Sequence, residues 1–117
     1  MKILFLDDDI MRRRHAREMF AGHDLSEAAT AAEAIKMLDK YSPYDLVSLD
    51  HDLGSGKNNT GEVAAKYIAT MPEEKLPMYV VIHSHNAPAA KRMMAILEQV
   101  IPVIFQPFNI NKNPITK

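Results

Sequence analysis

The chain has 117 residues, room for one hydrophobic core and too few for two. Apolar residues make up 47% and charged residues 25%; 14 basic residues against 15 acidic ones leave a net charge of -1, too balanced for broad attraction to DNA or to an anionic membrane. The lack of cysteine excludes disulfides and thiolate metal sites, so any metal must sit on carboxylates, imidazoles, carbonyls or water.

No apolar run approaches the ~20 residues that a membrane span requires. The opening stretch Ile3 to Leu6 is too short for a secretion signal and runs at once into three aspartates, so a cytoplasmic location is expected.

In chain order, Ile3 to Leu6 reads as a strand buried on both faces, as in a parallel sheet. Ile10 to Ala21 follows as a helix, with Asp9 as its cap, Met11, Ala16, Met19 and Phe20 inward, and Gly22 as its stop. Asp24 to Ala28 carries a weaker strand pattern. Thr30 and Glu33 have the spacing of a capping box, and Ala31, Ala34, Ile35 and Leu38 form the apolar stripe of a second helix that Pro43 closes off.

Leu46 to Leu49 is the next strand, and Leu53 to Asn59 has loop composition. Thr60 is placed to cap a third helix with Val63, Ala64, Tyr67, Ile68 and Met71 inward. Met78 to Ile82 is a fourth strand. Pro88 suits the first turn of a fourth helix with Met93, Met94, Leu97 and Val100 inward. Pro102 to Phe105 is a short fifth strand. The stretch from Gln106 to Lys117, broken by Pro107 and Pro114, is too short for a good closing helix. This βαβαβαβαβ order implies an α/β domain with a parallel sheet and helices on both faces.

Parallel strands end on one common edge, and ligands bind in the crevice there. Three strands run into polar clusters at that edge: Asp7-Asp8-Asp9, Asp50-His51-Asp52 and His83-Ser84-His85-Asn86. Crowded carboxylates repel and raise each other's pKa, a conflict that a hard divalent cation on oxygen ligands removes. Asp7, Asp8 and Asp50 are therefore the candidate metal ligands, with Asp52 a further oxygen donor. Magnesium or manganese suits this set better than zinc, although three nearby histidines keep a transition metal in play. Any one aspartate alone is as well explained as a turn or cap residue; the coincidence at three strand ends carries the argument.

His83 is the candidate general acid or base, ahead of His51 and His85. Asn86 offers amide hydrogen bonds to a phosphate. Of the basic run Arg12-Arg13-Arg14, at least one guanidinium can lean toward the strand ends and pair with a phosphate, the others remaining a solvated helix face. Lys57 to Gly61 lie where a loop could close over a ligand, and Met93 with Met94 read as core filler.

The runs Ile3 to Asp9, Leu49 to Gly54, Thr60-Gly61 and Val81 to Asn86 resemble the cyclic-phosphate-processing receiver-like family of bacteria and their phages, over about residues 2–108. The resemblance implies a single receiver-like domain over 1–117, with a core at 2–108 and a tail at 109–117. It implies a flavodoxin-like three-layer sandwich with strand order 2-1-3-4-5 and a reduced or absent fifth helix. By the same resemblance Asp7 and Asp8 match the metal-binding acidic pair of receivers, Asp50 the phospho-accepting aspartate and Ser84 the small hydroxyl switch residue. Gln106 stands where receivers carry a phosphoryl-contacting lysine, which disfavours phospho-aspartate signalling.

The function implied is metal-dependent binding and hydrolysis of a cyclic phosphate, either a nucleotide or an RNA 2′,3′-cyclic end. Asp50, His83 and Asp52 would be catalytic; Arg12, His51, Thr60, Ser84 and Asn86 would bind substrate; Asp7, Asp8 and Asp50 would bind magnesium or manganese. The alternatives are a non-catalytic binder of a phosphorylated ligand and an atypical receiver phosphorylated on Asp50. Apolar surface left near the fifth strand suggests a homodimer.

Overall fold

The computed structural model describes residues 1–109, 113 and 114. Its elements are β1 (Lys2–Leu6), α1 (Ile10–Met19), β2 (Asp24–Ala28), α2 (Ala31–Tyr41), β3 (Leu46–Leu49), α3 (Gly61–Ala69), β4 (Tyr79–Ile82), α4 (Ala87–Leu97) and β5 (Val103–Phe105). The five strands pair in parallel in the order β2-β1-β3-β4-β5. This is the expected flavodoxin-like topology, and among the described residues no helix follows β5. Residues 110–112 and 115–117 of the anticipated tail lie outside the described residues.

The apolar strand runs divide by parity between two faces. Leu4, Leu6, Val47, Leu49, Val80 and Ile82 pack with buried residues of α2, α3 and α4. Ile3, Phe5, Leu46 and Val81 face Ala16 of α1 and Phe20, the residue that caps its C-terminal end, with Phe108 packed against them. Full burial of each large apolar side chain contributes on the order of 1.5–3 kcal/mol, enough to fix the central strands and the polar residues at their ends. No described helix is long and apolar enough to cross a membrane.

Local signals set the helix starts. Asp9 caps α1, its Oδ1 accepting from the Met11 and Arg12 backbone N–H groups at 2.7 and 3.2 Å. Thr30 and Glu33 form the anticipated capping box. Pro88 sits in the first turn of α4, and the Asn86 side chain accepts from Ala89 N–H.

Several boundaries and faces differ from the sequence reading. Helix α1 ends at Met19 rather than Ala21. Met11 is half exposed because it lies five residues before Ala16, about 140° around the helix from the packed face. Strand β4 begins at Tyr79, leaving Met78 exposed. Val100 falls beyond the end of α4 and is exposed, and Ile101 takes the buried position instead. Thr60 is the residue before α3 but makes no side-chain cap bond. The Gly61 N–H is satisfied by the His51 carbonyl at 2.9 Å.

Candidate functional site

The strand register builds the site. Phe5, Ser48 and Val81 form one row across β1, β3 and β4, and Leu6, Leu49 and Ile82 form the next. One step further along these adjacent strands come Asp7, Asp50 and His83, all buried. Side chains two apart share a face, so this row lies over Phe5, Ser48 and Val81. Each of the three offers a ligand atom within 4.8 Å of the others, a grouping able to hold a metal ion.

Asp7 is the most enclosed member. Its Oδ2 accepts from Arg12 Nε at 2.7 Å and pairs with His83 Nε2 at 3.0 Å. Its Oδ1 accepts from Arg12 Nη2 at 3.0 Å and from the Asp9 backbone N–H at 2.9 Å. Burial pushes the Asp7 carboxyl up, but the bonds from His83, Arg12 and Asp9 outweigh it and hold it below the usual carboxylate value.

His83 stacks on Phe5, with ring centroids 4.6 Å apart and planes 3° from parallel, and Phe108 meets it edge-on. Its Nδ1 lies 2.7 Å from Ser48 Oγ. An ionised Asp7 can only accept, which puts the proton of a neutral ring on Nε2 and leaves Nδ1 to accept from the Ser48 hydroxyl. Burial pushes the His83 pKa down, against the pull of Asp7, so the ring is neutral near pH 7. With both ring nitrogens engaged and the side chain enclosed, His83 orients Asp7.

Asp50 is buried with few partners. Its pKa is pushed up to about 7, by burial first and then by the Asp7 charge, while a backbone bond from His51 and the nearby Arg12 act the other way. Arg12 Nη2 is 3.7 Å from Asp50 Oδ2. Two carboxylates that cannot both ionise freely, one lacking close cationic contact, suit a divalent cation on chemical grounds. Gly61 lets α3 begin against Asp50: a Cβ there would stand 1.8 Å from the Asp50 carbonyl oxygen.

The remaining anticipated residues separate into groups. Asp8 is exposed; its Oδ2 would lie 3.4 Å from a Cβ built on Gly54. Its charge adds to the upward push on Asp50. His51, Asp52 and Asn86 form a second cluster: His51 Nδ1 is 2.8 Å from Asp52 Oδ1, and Asn86 Nδ2 reaches the same oxygen at 3.5 Å. Thr60 forms an isolated antiparallel bridge with Asp52. Ser84 is buried, its Oγ accepting from Asn86 N–H at 3.0 Å. Among the three consecutive arginines, Arg12 meets the carboxylates, Arg13 donates from Nη1 to the Asp7 carbonyl at 2.8 Å, and Arg14 is exposed.

Sequence reasoning missed Ser48, Phe5 and Phe108, which hold His83. Ser48 was findable: it is the one polar residue in an apolar strand, two positions before Asp50 and so on the same face. Asn59 was also missed as an anchor. Its Oδ1 accepts from Ala31 N–H at the start of α2, and its Nδ2 donates to the Leu53 and Ser55 carbonyls, tying down the loop after β3.

The sequence model of the cyclic-phosphate processing receiver domain matches residues 2–99. No curated protein matches the chain in sequence. Among solved structures, NtrX from Brucella abortus is 25% identical with a TM-score of 0.71; the match covers 94% of this chain and 24% of NtrX, so the chain spans about a quarter of that protein's length. The N-terminal domain of a response regulator/sensory box/GGDEF 3-domain protein from Carboxydothermus hydrogenoformans is 21% identical, with a TM-score of 0.68 and coverage of 95% and 86%. The Mn(2+)-bound form of response regulator Rcp1 is 21% identical, with a TM-score of 0.66 and coverage of 95% and 85%. The latter two likenesses are in fold.

Proposed function

This chain belongs to the cyclic-phosphate processing receiver domain family, and from that premise we propose that it binds and hydrolyses a cyclic phosphate, a nucleotide or an RNA 2′,3′-cyclic end, with a divalent cation at the C-terminal edge of the sheet. The observation that carries this reading is the buried carboxylate pair Asp7 and Asp50 at adjacent strand ends, with oxygens within 4.8 Å of each other and His83 bonded behind Asp7. Asp7, Asp8 and Asp50 would hold the cation, magnesium or manganese in view of their hard oxygen donors. The manganese carried by Rcp1, which shares the fold, supports the same choice. When bound, the cation supplies positive charge to the phosphoryl oxygens.

The chain's own groups divide the remaining work. Arg12, with its side chain 34% exposed, is the guanidinium available to a non-bridging phosphoryl oxygen. Asn86 Nδ2 and the Thr60 and Ser84 hydroxyls are further phosphate donors. His83 holds Asp7 ionised and oriented. The acid–base role first expected of His83 passes to His51, which Asp52 orients through Nδ1 and whose Nε2 has no protein partner among the described residues. Water adds to phosphorus, one ring P–O bond breaks, and His51 takes the water proton and returns one to the leaving oxygen. The product is a phosphomonoester.

The test is a panel of 2′,3′-cyclic and 3′,5′-cyclic phosphates, with manganese, magnesium or chelator, following both binding and product. Turnover should fall at least about a hundredfold with chelator and in Asp50→Ala. Saturable binding with the ligand recovered unchanged would make the chain a binder without catalysis. Absence of both binding and turnover across the panel would sink the proposal.

A further inference from the structure

We propose that Arg12 is the built-in counter-ion of the Asp7–Asp50 pair, that a divalent cation binds by displacing it, and that the freed guanidinium is then presented to the phosphoryl group. The proposal rests on the metal-site reading above and deepens it by making cation and phosphate binding two halves of one exchange.

A carboxylate offers about four lone-pair positions on its two oxygens. All four on Asp7 are taken: Arg12 Nε and His83 Nε2 on Oδ2, Arg12 Nη2 and Asp9 N–H on Oδ1. A cation cannot reach Asp7 unless one partner leaves. The Asp9 N–H is backbone, fixed by the capped start of α1. His83 is clamped by Ser48 and by its stack on Phe5, with its side chain 4% exposed. Arg12 alone is a long side chain, one-third exposed at the rim, and it occupies two of the four positions.

The guanidinium also stands in for the cation electrostatically. It touches Asp7 twice and approaches Asp50 to 3.7 Å, so one positive charge already serves the two carboxylates that would hold a metal. A second charge of two units cannot share that space without strong repulsion. An exit is at hand: Arg12 Nη1 already lies 3.4 Å from Asp9 Oδ2 at the rim. Released from Asp7, the fork keeps this outer contact and gains free donors for an anionic oxygen. Because the coupling is reciprocal, an oxyanion that captures Arg12 must tighten the cation by the same factor that the cation tightens it.

The experiment uses the whole chain and no substrate. In 15N-labelled wild-type protein the Arg12 side-chain Nε–Hε resonance, identified by its loss in Arg12→Gln or Arg12→Lys, should be protected from exchange without metal. It should lose that protection as magnesium is added. By calorimetry, Arg12→Gln should bind manganese about tenfold or more tightly than wild type, the scale of one charge-assisted hydrogen bond. Inorganic phosphate should strengthen manganese binding in wild type but not in the variant. Magnesium binding seen at Asp50 backbone amides with the Arg12 resonance unmoved would overturn the exchange and leave the metal site standing. Unchanged or weaker manganese affinity in a folded Arg12→Gln would do the same. Absence of binding in both chains would remove the metal site and the exchange together; if the variant fails to fold, the wild-type titration decides.

Discussion

Two aspartates at adjacent strand ends have opposite titration behaviour because their partners differ. Asp7 has four hydrogen-bond contacts and is held below its ordinary value, so its contribution to stability is present above the unfolded pKa and is lost as pH falls through the lower folded one. Asp50 is pushed up to about 7 by burial and by Asp7. Between about 4 and 7 the unfolded chain has released that proton and the folded chain still holds it, so the Asp50 contribution falls as pH rises. Denaturant unfolding in chelator should therefore show Asp50→Asn gaining stability relative to wild type across that window. The opposing slope from His83, whose folded pKa is lowered, is common to both chains and cancels in the difference. A difference that stays flat from pH 4 to 7 would show that Asp50 is ordinarily acidic in the folded protein. Ser48→Ala removes the hydroxyl that fixes the His83 ring and should cost about 1 kcal/mol in the same assay. His83→Ala, which also leaves Asp7 short of a donor and opens space beside Phe5, should cost about 3 kcal/mol or more.

Helix α3 and the loop before it are held to the site by two contacts that burial alone does not reveal. Gly61 is needed because the first turn of α3 starts on the Asp50 carbonyl, where an added Cβ would overlap the oxygen. Gly61→Ala should lower stability by about 3 kcal/mol or more, above the usual cost of overpacking because the clash is with backbone. It should also move Asp50 and weaken manganese binding; a variant with unchanged melting temperature and affinity would show that the approach is looser. Asn59 links the loop to α2 through the Ala31 N–H. Asn59→Ala should cost about 1 kcal/mol, as loss of a helix-start acceptor does, with faster amide exchange at Ala31 as the local readout.

At the scale of the molecule, the feature that assembles the candidate site is the shared strand edge, and it could be read from the sequence. Apolar runs ending abruptly in acid or histidine marked the ends of β1, β3 and β4, and period-two alternation places Asp7, Asp50 and His83 on one face once the strands are adjacent. Other features depend on contacts between segments far apart in the chain. The burial of His83 comes from Phe5 and Phe108, 78 and 25 residues away, and nothing in the local pattern around Val81 to Asn86 signals it. The choice of Arg12 over Arg13 or Arg14 follows from the phase that the Asp9 cap gives α1. The half-exposed position of Met11 follows from that phase as well. Three consecutive arginines look alike in sequence, and a one-residue change in where the helix begins would rotate a different one toward Asp7 by about 100°.

Anomalous diffraction from crystals grown with manganese would test the proposed site most directly. One strong peak should lie within direct bonding distance of carboxylate oxygens of Asp7 and Asp50, roughly the 2.0–2.6 Å span of hard divalent cations on oxygen, with Asp8 nearby and the Arg12 guanidinium withdrawn from Asp7 toward Asp9. A peak coordinated elsewhere on the chain, or saturating manganese with no peak while Arg12 still grips Asp7, would contradict it.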